Sequence, residues 1–495
     1  MKILSIIPDI GAGGLTGAVL NRMSLLSREG NDCSVVFYQF IPGLNSKVSG
    51  LRETGKLGGS VQVFNPYTYF DELHSSKLGY KVESLQFIHR HEVQNSKEII
   101  ESHLDETLTI RARIFKSTDA RQITKIQFFT DSGSLWKEEI YYGREMPHVV
   151  RFHENGNVVR EKYLSQNGYC YLSQEFDPKD GNLSGLWVSG SGGRVKFHKS
   201  IWDWRRDFVK HVVCANSSEN SLLCDGNNVP RQFLRMRSDR FKVYAVLHMN
   251  HVGLNGKLRK QYAGYFGRLS EFDGVVCLTE AQAEDLREEF GLLNSLHVIP
   301  NRVASLVDDQ TVVDDGVHDV TLISRLEAGK GVEDAVDAFR LVVDRLPRAQ
   351  MSIYGSGTKR DEIRKSIIRN GLQGNVTLCG ATKRPLLEMS QSKVFVFTSE
   401  SEGFGMTIVE AMSCGTPVVA FDCKYGPASI IADGLTGFIV KDRNGSGFAD
   451  RVIQLLENDI LRSNFAHSSK QRFENQFSDG IILKKWKNVL GLKWN

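Results

Sequence analysis

The chain has 495 residues, of which 41% are hydrophobic and 24% charged, the make-up of a water-soluble protein large enough for two or three domains. A net charge of only +4 supplies no global field for nucleic acid. No apolar run reaches the roughly 18 residues of a membrane span, and no signal peptide or lipidation motif is found. The expectation is therefore a cytoplasmic protein, at most peripheral at the inner face of the membrane. Eight scattered cysteines without a Cys-x-x-Cys pair are best read as buried free thiols in a reducing compartment.

The chain opens with an apolar strand, Lys2 to Ile7, and a glycine turn, Gly13-Gly14-Leu15-Thr16-Gly17, before a helix expected over Ala18 to Arg28. Glycine there lets backbone approach a phosphate. The turn lacks the Gly-x-Gly-x-x-Gly spacing of dinucleotide sites, and no Walker sequence occurs, which argues against nicotinamide binding and ATP hydrolysis. A second strand, Cys33 to Tyr38, completes the start of a Rossmann-like unit.

From about Thr107 to Phe197 the pattern turns period-two and aromatic-rich, with turn signals at Asp131-Ser132-Gly133, Asn155-Gly156 and Asn167-Gly168. That describes a meandering antiparallel sheet. Strand–helix alternation returns near 200, and His248 ends the apolar run Val243 to Leu247. A linker over 301–316 leads to a second alternating region with strands at Met351, Val376, Val394 and Val418. The predicted division is an N-terminal Rossmann lobe (1–60 and 201–305) interrupted by a β-rich insert (61–200). A C-terminal nucleotide-sugar lobe (306–480) and a terminal helix (481–495) follow. The fold class is α/β, two Rossmann-like lobes with an inserted antiparallel β-domain, and ligands are expected at the carboxyl ends of both sheets.

Two motifs carry chemistry. After the strand ending at Ile323, Arg325 and Lys330 bracket a tight turn, where fixed cations can stabilise a leaving diphosphate. After Val394 to Phe397, a glycine-bearing loop leads into a helix near Met406, with Glu402 on the loop and Glu410 one turn into the helix. The helix start offers unpaired amides to a phosphate. Two solvated surface glutamates would be the plain alternative; the flanking glycines and Gly415-Thr416-Pro417 favour a site.

The Glu402–Glu410 spacing resembles the Glu-x7-Glu signature of family 4 of the retaining glycosyltransferases, which have the two-Rossmann (GT-B) architecture. Matches at Ser324 to Gly331, Gly13 to Thr16 and Leu247 to His251 extend the resemblance. It implies that Glu402 lies at the donor sugar, that Glu410 holds the nucleotide ribose, and that amides over Phe404, Gly405, Met406 and Thr407 line sugar and diphosphate. By the same resemblance Arg325 and Lys330 meet the diphosphate, Gly14 and Thr16 lie beside it, and His248 stands near the sugar, with His251 a weaker candidate. The insert is similar to that of enzymes acting on wall teichoic acid. The implied substrates are a UDP-sugar (N-acetylglucosamine or glucose) and a poly(polyol phosphate) acceptor, with no metal or further cofactor and self-association through the insert. Two rivals are an enzyme acting on Ser/Thr of a serine-rich adhesin with a partner protein, and a non-catalytic carbohydrate-binding scaffold. Trp204-Arg205-Arg206 or Lys257 to Lys260 could supply cations for acceptor phosphates.

Overall fold

The structure is a computed structural model that describes residues 1–11, 14–80, 89–226, 228–253, 255–291, 295–304 and 318–493. Gly13, most of the expected linker and Trp494 lie outside the described residues. Three sheets organise the chain. The first is parallel and seven-stranded, in the order Leu296–Val298, Gly274–Cys277, Phe241–Val246, Asn220–Asp225, Lys2–Ile7, Asp32–Phe37, Gln62–Phe64. Its central strands are buried throughout, as their unbroken apolar character requires when helices cover both faces. The outermost strand, Gln62–Phe64, pairs in parallel with Asp32–Phe37, so this sheet takes in residues beyond the expected boundary at 60. The helix Pro66–Leu73, capped by Asn65, also packs within the first lobe.

The second sheet is a ten-stranded antiparallel meander from His89–Gln94 to Val195–His198, each strand pairing only with its sequence neighbours. Asn155 and Gly156 both take positive φ in one of its tight hairpins, as the Asn-Gly signal predicts. The meander starts earlier than the periodicity suggested. His89–Gln94 is a fully exposed edge strand in which only Val93 is apolar, and an edge exposed on both faces need not alternate. Val149, Tyr163, Tyr171 and Leu186 of the meander share one core with Tyr67, Phe70, Trp204 and Phe208 of the first lobe. Insert and lobe are thus fused over an apolar face.

The third sheet is parallel and six-stranded, in the order Val376–Gly380, Met351–Tyr354, His318–Ile323, Ser392–Phe397, Val418–Phe421, Gly437–Val440. After it the helix Asp479–Leu490 returns to the first lobe, burying Ile482, Trp486 and Leu490 beside Val19 and Met23. Arg302 pairs with Asp479 through two hydrogen bonds of 2.7 and 3.0 Å. All eight cysteines are free; Cys379 is exposed, against the expectation of burial, because it sits on the edge strand Val376–Gly380.

Candidate active site

On the second lobe, the loop after His318–Ile323 is shaped by its neighbours. Buried Leu326 anchors it, and its amide donates to Ser356 O at 2.9 Å. A Cβ on Gly355 would fall 1.8 Å from Ser324 O, and one on Gly357 2.2 Å from Leu326 O, so only glycines allow this approach. Arg325 is exposed and makes no ion pair among the described residues. Lys330 donates to the carboxylate of Glu402 in a short ion pair; both side chains are about one-fifth exposed. Glu400 N donates to Gly329 O at 2.9 Å and Thr398 Oγ1 to Lys330 O at 3.0 Å, so the two motifs form one unit across adjacent strands.

The helix Met406–Cys414 starts after Gly405, whose φ is 101°, and no side chain caps it. The first-turn amides of Met406 and Thr407 are therefore open to an anion. Phe404 turns its ring into the core against Phe477, which leaves only its backbone for a ligand. Glu410 is half-buried on the helix flank, with no opposing cation among the described residues, and burial pushes its carboxyl up to about 7. A carboxyl raised in the folded state costs stability as pH rises from about 4.5 through 7. The ligand-free protein is expected to lose thermal stability over that window, and Glu410→Gln to flatten the loss, as a melting series from pH 5 to 8 would show.

The first lobe supplies the opposite wall. The helix Gly14–Arg28 begins four residues before the expected Ala18, because the glycine turn itself becomes its first turn. Thr16 is buried inside that turn and its hydroxyl accepts the Gly11 amide at 3.2 Å. A Cβ on Gly14 would stand 3.7 Å from Met406 Sδ, so this turn directly faces the start of the second-lobe helix. His248 Nε2 lies 2.6 Å from Asp225 Oδ1, with the imidazole almost fully buried and Nδ1 without a hydrogen-bond partner among the described residues. Asp225 is itself fully buried. Burial would raise its carboxyl, but the Arg22 guanidinium and the His248 hydrogen bond outweigh that and hold it at about 2. Arg22 donates at 3.0 and 2.6 Å to the two carboxylate oxygens and to Ser5 Oγ at 2.6 Å, and it stacks 5.0 Å from the Trp486 ring. The sequence shows Asp225 only as a strand-end acid before a glycine; its union with Arg22 and His248 is made by the parallel sheet. His251 is packed between Phe266 and Tyr425 with its pKa lowered by burial, a core histidine rather than a lining one.

The walls touch at Gly403, where a Cβ would fall 2.0 Å from His248 O and 2.8 Å from Met249 Cα. Asn250 Nδ2 adds contacts at 3.3 Å to Ser401 Oγ and 3.2 Å to Lys424 O, and Tyr425 OH donates to Asp285 at 2.5 Å. Gly403→Ala would collide with rigid backbone and hold the lobes apart. It is expected to slow turnover at least about tenfold while the melting temperature changes little, as paired rate and melting measurements would show.

Two facing Rossmann lobes, with the Lys330–Glu402 pair and an uncapped helix start at their junction, define a glycosyltransferase of the two-Rossmann class. The family model described as glycosyl transferases group 1 matches residues 307–472, which is the second lobe. The chain is similar along nearly its whole length to the poly(ribitol-phosphate) alpha-N-acetylglucosaminyltransferase of Staphylococcus aureus, 27% identical and covering 97% of both chains. It is 26% identical to the poly(glycerol-phosphate) alpha-glucosyltransferase of Bacillus subtilis over 96% of this chain and 72% of that one. Its structure superposes on S. aureus TarM, crystallised with fondaparinux, alpha-GlcNAc-glycerol and UDP, with a TM-score of 0.85 at 25% identity over 99% of each chain. The two-lobed fold with an inserted antiparallel sheet and the glycosyltransferase assignment stand as the sequence led us to expect.

Proposed function

We propose that the protein transfers N-acetylglucosamine or glucose from a UDP-sugar, with retention at the anomeric carbon, to a hydroxyl of a poly(polyol phosphate) chain of the wall teichoic acid type. The observation that carries this reading is the Lys330–Glu402 pair, set between the open helix start at Met406 and the His248 wall. Uridine diphosphate would lie on the second lobe, its ribose on Glu410 and its phosphates on Arg325, Lys330 and the amides of Met406 and Thr407, with the Gly14–Thr16 turn opposite. Glu402, neutralised by Lys330, is better suited to holding sugar hydroxyls than to attacking carbon. In the step we favour, the bond from the anomeric carbon to the UDP oxygen breaks and the acceptor oxygen bonds on the same face. The acceptor proton passes to the departing phosphate, whose charge Arg325, Lys330 and the helix amides stabilise. His248 would position a sugar hydroxyl through Nδ1.

Among the described residues no cluster of three His, Cys, Asp or Glu side chains is arranged to hold a metal ion, and no helix is long and apolar enough to cross a membrane. Self-association through the insert and work at the inner membrane face complete the proposal. The test is transfer of labelled sugar from UDP-N-acetylglucosamine and UDP-glucose to poly(ribitol phosphate), poly(glycerol phosphate) and a serine-rich peptide, each with and without chelator. Transfer to a polyol phosphate supports the reading. Labelling of the peptide alone would move the protein to the adhesin-modifying group, and no transfer to any acceptor would leave a binding scaffold.

A further inference from the structure

Three residues of one helix, Trp204, Arg205 and Arg206, are candidates for meeting an acceptor, and the structure separates them. Ser200 caps this helix, Ile201–Phe208, which drives Trp204 and Phe208 into the core. Arg206 is spent locally, bound to Asp203 and at 2.8 Å to Gln232 O. Arg205 is different. Its guanidinium lies 4.7 Å from the ring centres of both Tyr38 and Trp202, which are themselves 4.9 Å apart. Among the described residues no carboxylate pairs with it, its Nε is buried without a hydrogen-bond partner, and its polar neighbour is the neutral Tyr67 hydroxyl. The side chain nevertheless stays partly exposed.

The position of this group matters as much as its chemistry. Tyr38 directly follows the strand Asp32–Phe37, and Trp202 meets Phe233 of the helix Val229–Phe233, which follows the strand Asn220–Asp225. Both strands end on the edge of the sheet that also carries Gly14, Asp225 and His248. Arg205 therefore sits on the cleft edge of the first lobe, apart from the second-lobe cations assigned to the donor. Phe40 continues the aromatic floor to the exposed Tyr142 of the insert, 5.6 Å away.

We infer that Arg205, held against the rings of Tyr38 and Trp202, is the binding site for a phosphodiester of the acceptor chain. The inference rests on the acceptor class proposed above. The two rings, inclined at 56° to each other, attract the guanidinium and restrict its motion, which leaves its terminal N–H groups for the oxygens of a phosphodiester. A cation without a counter-ion in such surroundings gains most from an anion that arrives with the substrate. A polyol phosphate offers one such charge per repeat beside each reacting hydroxyl; a serine-rich peptide offers none.

The experiment compares the wild type with Arg205→Gln and Arg205→Lys. Initial rates are measured against poly(glycerol phosphate), binding of the same polymer is followed by tryptophan fluorescence, and UDP affinity by calorimetry. Arg205→Gln is expected to raise the KM for the polymer roughly tenfold or more, with kcat and the UDP Kd within about twofold. Arg205→Lys keeps the charge but not the fork, and recovers part of the loss; it carries the test if the glutamine variant fails to fold. An unchanged polymer KM, or UDP affinity falling in step with it, overturns the site. Polymer binding that depends on Arg205 without any sugar transfer upholds the site and overturns the acceptor reading, whereas transfer with a KM indifferent to Arg205 does the reverse.

Discussion

Lys330→Ala is expected to lower kcat roughly 100- to 1,000-fold, the loss seen when one preorganised charge is removed from a transition state. The lysine neutralises Glu402, and in the reading proposed above it also meets the leaving diphosphate. Without it, Glu402 stands half-sheltered beside a departing anion, and repulsion adds to the lost attraction. Lys330→Ala combined with Glu402→Gln should then be less damaging than the product of the two single variants. Lys330→Arg should rescue poorly. A planar fork does not reproduce the compact ammonium that sits against Glu402. Single-turnover rates for the four variants test this; independent, multiplicative losses would count against a shared role.

Asp225→Asn is expected to cost about 100-fold in kcat. The carboxylate accepts the Nε2 proton of His248, which leaves Nδ1 as a bare acceptor. An asparagine must give its oxygen to Arg22, which donates to both oxygens of the native carboxylate, and so turns its amide toward Nε2. The imidazole then carries its proton on Nδ1, and the atom proposed above to meet the sugar changes from acceptor to donor. Nitrogen-15 spectra of labelled histidine would show the exchange directly, with Nε2 moving from pyrrole-like to pyridine-like. An unchanged spectrum with a reduced rate would make the residue merely structural. Stability falls as well, by about 3–5 kcal/mol, because Arg22 loses its buried counter-charge. In the native protein the stabilisation from Asp225 is present above about pH 4 and fades as pH falls toward about 2.

Much of this was legible beforehand where local chemistry decides the outcome. Lys330, Glu402 and Glu410 lie on loops and a helix whose glycines and apolar runs announce them, and the structure joins Lys330 to Glu402 as two halves of one feature. The hairpins of the insert were readable from Asn-Gly turns and alternation. What escaped was whatever depends on distant chain meeting. The Arg22–Asp225–His248 unit joins the helix Gly14–Arg28 to the ends of two strands, and Gly355 and Gly357 matter only because a neighbouring strand's loop lies over them. The strand His89–Gln94 was invisible for another reason: an edge with no buried face leaves no hydrophobic signature.

The order in which the strands leave the ribosome sets a delay. Ser5 and Asp225 touch across the central pair of the first sheet yet lie 220 residues apart, with the whole meander synthesised between them. At elongation rates of about 5–20 residues per second the opening strand waits roughly ten to forty seconds for that partner. The meander, whose strands pair only with sequence neighbours, can close as it emerges, because short loops close fastest. The opening segment Lys2–Ile7, apolar at Ile3, Leu4, Ile6 and Ile7, can pair early with Asp32–Phe37, but its other edge stays open throughout that interval and is the part of the nascent chain in most need of a chaperone.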